Sequence, residues 1–114
     1  MMGEARILSL LGIARKAGKV ILGTDMTVES IRSGKKNSVI LMLMASDASK
    51  NAIKRIENTS AYYKIPLIRL EADKSELARL TGGKAELSVV GITDNGFANA
   101  MLSAMQNENN KGNG

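Results

Sequence analysis

The 114-residue chain is predicted to be α/β, a three-layer α/β/α sandwich whose central mixed sheet has about four strands and about five helices. Three observations predict it. Segments of helical apolar spacing alternate with short apolar runs, Gly and Asp or Ser punctuate nearly every junction, and one run, Val39 to Met44, is apolar without alternation. Several parallel neighbours are expected in the sheet. Residues 1–106 form one domain in this reading, and the Asn- and Gly-rich residues 107–114 form a disordered polar tail.

The first helix spans Glu4 to Ala17, with Ile7, Leu10, Leu11 and Ala14 on one face and Gly18 as its left-handed stop. Val20 to Leu22 reads as a short strand. Gly23 breaks it, Thr24 or Asp25 caps the second helix, and Gly34 ends that helix. Ser38 to Met44 lacks a polar face and so suits a central strand covered on both sides. Ser46 or Asp47 caps a third helix that turns Ala52, Ile53 and Ile56 inward and leaves Lys50, Lys54 and Arg55 to solvent. Pro66 marks the entry to a strand over Leu67 to Leu70, at an edge or at a first residue. Asp73 and Glu76 have capping-box spacing for a short fourth helix that ends at Gly82-Gly83. Glu86 to Ile92 is a further strand, and Asp94 caps the final helix.

Composition narrows the chemistry. The only aromatics are Tyr62, Tyr63 and Phe97, so the core is aliphatic, and a single-strand binder built on several stacking platforms is excluded. There is no Cys and no His, which removes thiol nucleophiles, disulfides, the usual general base near pH 7 and the commonest metal ligand. The chain is read as no enzyme, with no cofactor and no resident metal. Sixteen Lys and Arg against eleven Asp and Glu leave a formal charge of +5, which fits either an anionic partner or an ordinary basic surface. No apolar run is long enough to span a bilayer and the first residues lack the pattern of a secretory signal, so no membrane partner is expected and cytoplasm is the expected compartment.

The most informative junction is strand, Gly23-Thr24-Asp25, helix. A helix start exposes unpaired N–H groups and partial positive charge, and so receives phosphate readily. Arg15, Lys16 and Lys19 precede it in sequence, and Arg32, Lys35 and Lys36 follow. The plainer alternative is that Gly23 only turns and Thr24 only caps. Asp25 and Glu29 lie four apart and could share a cation, but two carboxylates without further ligands make a weak site. Asp47 and Asp94 follow apolar strands and could carry magnesium in phosphoryl transfer, yet each also stands where a helix cap belongs. Thr81-Gly82-Gly83-Lys84 lacks the spacing of a phosphate-binding loop.

The stretch Ala17-Gly18-Lys19-Val20-Ile21-Leu22-Gly23-Thr24-Asp25, continued by Ile31-Arg32-Ser33-Gly34-Lys35, resembles the kink-turn RNA-binding superfamily. That superfamily joins the seven-Ae, thirty-e and Gadd-type proteins, and the likeness is nearest to the thirty-type and the small bacterial YlxQ-like members. It extends through Val39 to Met44, Ile65-Pro66-Leu67, the Leu77 to Gly82 helix end and Val89 to Asp94.

The resemblance implies a bent or bulged RNA helix with sheared G·A pairs as ligand. The family's Gly-x-Asn-Glu turn falls on Gly23, Thr24, Asp25 and Met26, and its second loop, for bases flipped from the bulge, on Leu70, Glu71, Ala72 and Asp73. Lys19, Arg32 and Lys35 are the implied phosphate contacts, and Leu70 with Ala72 would pack on an extruded base. Three departures stand out. Asp25 replaces the amide, Met26 replaces the carboxylate, and Glu29 stands where the seven-type proteins have Lys. The implied partner is structured RNA, ribosomal or kink-turn, bound by a ribosome-associated monomer. The acidic changes favour a rival, a protein-interaction module on the same fold that has lost tight RNA recognition.

Overall fold

The computed structural model describes the backbone of residues 2–83 and 85–113 and the side chains of residues 3–83 and 85–106. The chain runs α1 (Met2–Lys16), β1 (Val20–Leu22), α2 (Thr24–Ser33), β2 (Leu41–Met44), α3 (Lys50–Tyr63), β3 (Leu67–Arg69), α4 (Lys74–Thr81), β4 (Val89–Ile92) and α5 (Asn95–Asn113). The four strands form one mixed sheet in the order β1-β4-β2-β3.

Alternation along β2 sorts the core. Leu41 and Leu43 face one layer with Ile68, Leu70, Val90 and Ile92, where Ile7 and Leu11 of α1, Leu77 of α4 and Met101 of α5 close over them. Met42 and Met44 face the other with Val39 and Val89, beneath Val28 and Ile31 of α2 and Ile56 of α3. Every β2 residue is buried, as expected for a strand covered on both faces. The three-layer sandwich follows.

Sheet direction differs from expectation. Among the described strands only β2 and β3 pair in parallel, with Leu43 opposite Ile68, whereas β4 is antiparallel to both β1 and β2. Three strands therefore end at the same side of the sheet where β4 begins. Strands β2 and β4 are also shorter than their apolar runs. Val39 and Ile40 precede β2, although the Ile40 amide already donates to Ile92 O at 2.8 Å.

Caps explain the helix limits. Ser49, not Ser46 or Asp47, caps α3 by accepting from the Ala52 amide at 3.1 Å. Asp47 instead accepts from the Lys74 amide at 2.8 Å, at the start of α4. Asp73 caps α4 through the Glu76 amide, and Asp94 accepts from the Phe97 amide in the first turn of α5. Both aspartates once open to a magnesium reading are thus engaged in helix starts. Among the described residues no group of three or more acidic side chains could hold a metal ion, and no helix is long and apolar enough to cross a membrane.

At the C-terminus, α5 carries its backbone on to Asn113, through residues that composition assigns to a tail. A helix nucleated by the packed segment around Met101 extends at small cost per added residue, even through weak helix formers. Lys84 and Gly114 lie outside the described residues.

Candidate nucleic-acid interface

Helix α2 starts without a side-chain cap. Its N-cap is Gly23, at φ 100° and ψ 155°, not Thr24 or Asp25. That φ is one an L side chain rarely adopts, so a glycine is required for the chain to turn from β1 into α2 here. Gly23 is fixed on both sides. Its N–H donates to Val89 O at 2.9 Å, and its carbonyl accepts from the Thr27 amide at 3.1 Å. The first-turn amides of residues 24 to 26 therefore meet no capping side chain, whereas Ser49, Asp73 and Asp94 serve the starts of α3, α4 and α5.

The Asp25 carboxylate is turned aside to the Arg55 guanidinium of α3, 30 residues later in the chain. The Asp25 side chain is 86% exposed and that of Arg55 46%, so the solvated pair adds little stability. Its effect is electrostatic, because it offsets a negative charge at the mouth of the helix. Met26 stands beside it, 64% exposed, as an apolar platform. Glu29 follows one turn later and is exposed.

The expected cations do not surround this corner. Lys19 precedes β1 while Gly23 follows it, which separates them by roughly 13 Å of extended chain. Arg32 closes α2 and Lys35 lies beyond it, more than ~12 Å along the helix from Thr24. All three are exposed, but at the opposite end of the sheet. Proximity in sequence misplaces them because β1 and α2 run back along each other. Arg55 supplies the nearby charge instead.

The second expected element is differently placed. Across the end of the sheet, the Gly23 amide bonds Val89 O, the Ala45 amide bonds Ser88 O at 2.8 Å, and the Leu70 amide bonds Met44 O at 2.9 Å. Leu70 thus sits about 14 Å, three strand spacings, from Gly23, while the segment entering β4 adjoins it. Leu70 and Ala72 are only 4% and 6% exposed and belong to the core around α1 and α4. Neither side chain is open to an extruded base. This corrects the packing role the resemblance implies. Nor is the backbone free there, since the Glu71 and Ala72 amides both donate to the Glu4 carboxylate. Glu71 and Asp73 are exposed, with Asp73 committed to its cap.

The model of the ribosomal protein L7Ae/L30e/S12e/Gadd45 family matches residues 5–102. The RNA-binding protein YlxQ of Bacillus subtilis is 38% identical over 96 residues, covering 84% of this chain and 91% of that protein. The large ribosomal subunit protein eL30 of Methanosphaera stadtmanae is 30% identical over 89 residues, 78% of this chain and 88% of its own. A Bacillus halodurans C structure, described as a protein with unknown function, superposes with TM-score 0.79 at 28% identity over 90% of this chain and 98% of that one. The Giardia lamblia 15.5kD RNA binding protein shares the fold at TM-score 0.77 and 15% identity, over 94% of this chain and 88% of its own. The chain belongs to the ribosomal protein L7Ae/L30e/S12e/Gadd45 family.

Proposed function

We propose that this chain is a non-catalytic, cytoplasmic RNA-binding protein that recognises a kink-turn-like bulged helix, in association with the ribosome. The observation that carries the reading is the start of α2 on Gly23, which no side chain caps and which lies beside the exposed Met26. Relatives named for RNA binding and for the large ribosomal subunit support the ligand class. Phosphate meets the amides of residues 24 to 26, and Arg55 adds positive charge. Asp25 and Met26 lie where base edges are read, and the segment entering β4 forms the neighbouring wall. Lys19, Arg32 and Lys35 serve as outlying phosphate contacts for the flanking helix.

Fluorescence anisotropy against a kink-turn RNA and a control with its sheared G·A pairs disrupted tests this. Selective binding that weakens steeply with salt supports the reading. Equal, weak binding to both RNAs leaves only charge attraction and favours the protein-interaction module.

Two variants refine it. Asp25→Asn restores a group that both donates and accepts, and frees Arg55 for phosphate. Kink-turn binding is expected to tighten by about tenfold, within the ~1–3 kcal/mol of a good base-reading pair. No gain in the same assay would place residue 25 off the base edges. Lys19→Ala is expected to weaken both RNAs by a similar factor and to lower the salt slope by about one phosphate contact. A loss confined to the kink-turn RNA would contradict a purely electrostatic role for Lys19.

A further inference from the structure

On the layer away from α2, an open groove of about 540 Å³ lies between α1 and the C-terminal end of α4. Gly12, Ile13 and Leu80 line it together with three cations, Arg15, Lys16 and Arg79. No carboxylate is among its described lining residues. Glu76 approaches Arg79 only as a helical neighbour, at 3.6 Å, and leaves that guanidinium mostly exposed.

Two features set the groove apart from an ordinary basic surface. Ile13 is 56% exposed there, whereas Ile7 and Leu11 of α1 are fully buried and Leu8 and Leu10 partly so. Gly12 sits in a helix interior, where glycine is destabilising, yet a Cβ added to it would meet nothing within 4 Å. Neither backbone conformation nor packing within the chain calls for glycine. A side chain at this position would project into the groove instead. Arg15 is held in place, because its Nε donates to Thr81 O at 2.8 Å across the α1–α4 gap. A guanidinium fixed in advance loses little freedom when it meets a carboxylate.

We propose that this groove is a second interface, which docks an acidic segment of a partner protein through a branched aliphatic side chain flanked by Glu or Asp. The aliphatic anchor meets Ile13 and Leu80 over Gly12, and its flanking carboxylates meet Arg15, Lys16 and Arg79. Charge complementarity selects an acidic partner. The aliphatic surface of Ile13 and Leu80 between those cations calls for an apolar anchor, which a protein segment carries and a sugar-phosphate backbone lacks.

The test is titration of the isotope-labelled full chain, followed by amide NMR, with a capped peptide of about nine Glu and Leu residues. An all-Glu peptide and a Lys–Leu peptide of equal length serve as controls. Shifts are expected at residues 12 to 16 and 79 to 82, roughly tenfold weaker with the all-Glu peptide and absent with the Lys–Leu one. Gly12→Gln, which fills the groove, and Ile13→Ser are each expected to lose binding by roughly tenfold with circular dichroism and kink-turn RNA affinity unchanged. The proposal is overturned by any of four results. These are no localised shift at millimolar peptide, equal shifts from the all-Glu peptide, loss of RNA affinity in Ile13→Ser, and a dimer of this chain that Ile13→Ser dissolves.

Discussion

Replacing Glu4 with Ala is expected to lower stability by about 3 kcal/mol and the melting temperature by roughly 10–20 °C. Glu4 is a buried carboxylate in the first turns of α1 whose oxygens accept from the Glu71 amide, at 2.8 and 2.9 Å, and from the Ala72 amide, at 2.9 Å. Removing it strands the buried Ala72 amide and the part-buried Glu71 amide, and an unsatisfied buried donor costs ~1–3 kcal/mol. The damage spreads through a hydrogen-bonded loop. Ala72 O accepts from the Ser46 amide at 2.9 Å, Asp47 holds the Lys74 amide, and Asp73 caps α4. Glu4→Gln keeps one acceptor oxygen and should cost about 1 kcal/mol. Urea melts rank the two variants, and hydrogen exchange at Glu71 and Ala72 locates the effect. If Glu4→Ala melts like the parent with those amides still protected, the clamp contributes nothing.

Glu4 also marks the boundary of what is legible in one sequence. Its acceptor role joins residues 67 and 68 positions apart, and no local pattern announces it. The same holds for Arg55, which reads as a solvated face of α3 and proves to be the charge beside Asp25. Features written locally are plain. The Val20 to Leu22 strand, the break at Gly23, the left-handed stop at Gly34, the cap at Asp73 and the two-sided burial of β2 all rest on neighbours in sequence. The α2 start is legible as a candidate phosphate site for that reason. Its capping is not, because Thr24 and Asp25 are good caps by type and only the φ of Gly23 moves the N-cap onto the glycine. Strand direction depends on pairing partners far apart in the chain, which is why parallel neighbours are overestimated. Leu70 and Ala72 look available in a short strand-to-helix loop until α1 and α4 cover them.

Gly91→Ala is expected to destabilise the fold by ~2–3 kcal/mol, although it adds a single methyl group. Gly91 lies in the middle of β4, opposite Ile21 on one side and Met42 on the other. A Cβ there would come within 2.5 and 3.0 Å of the two Val39 methyls and 3.2 Å of the Thr27 methyl. Both neighbours are β-branched and buried, so neither can swing clear without leaving its rotamer. The strain reaches α2 through Thr27, three residues after the open amide at Thr24, and tilts the helix start that the proposed RNA contacts need. Thermal melts should show a loss of roughly 8–15 °C, and kink-turn affinity should fall with it. Gly12→Ala makes the same chemical change with the opposite sign, because its Cβ enters empty space in a helix and is expected to add ~0.5–1 kcal/mol. Adding Val39→Ala to Gly91→Ala removes the colliding methyls, and the double variant should be at least ~1 kcal/mol more stable than the sum of the single losses requires. Strict additivity would mean that the backbone of β4, rather than Val39, yields to the new methyl.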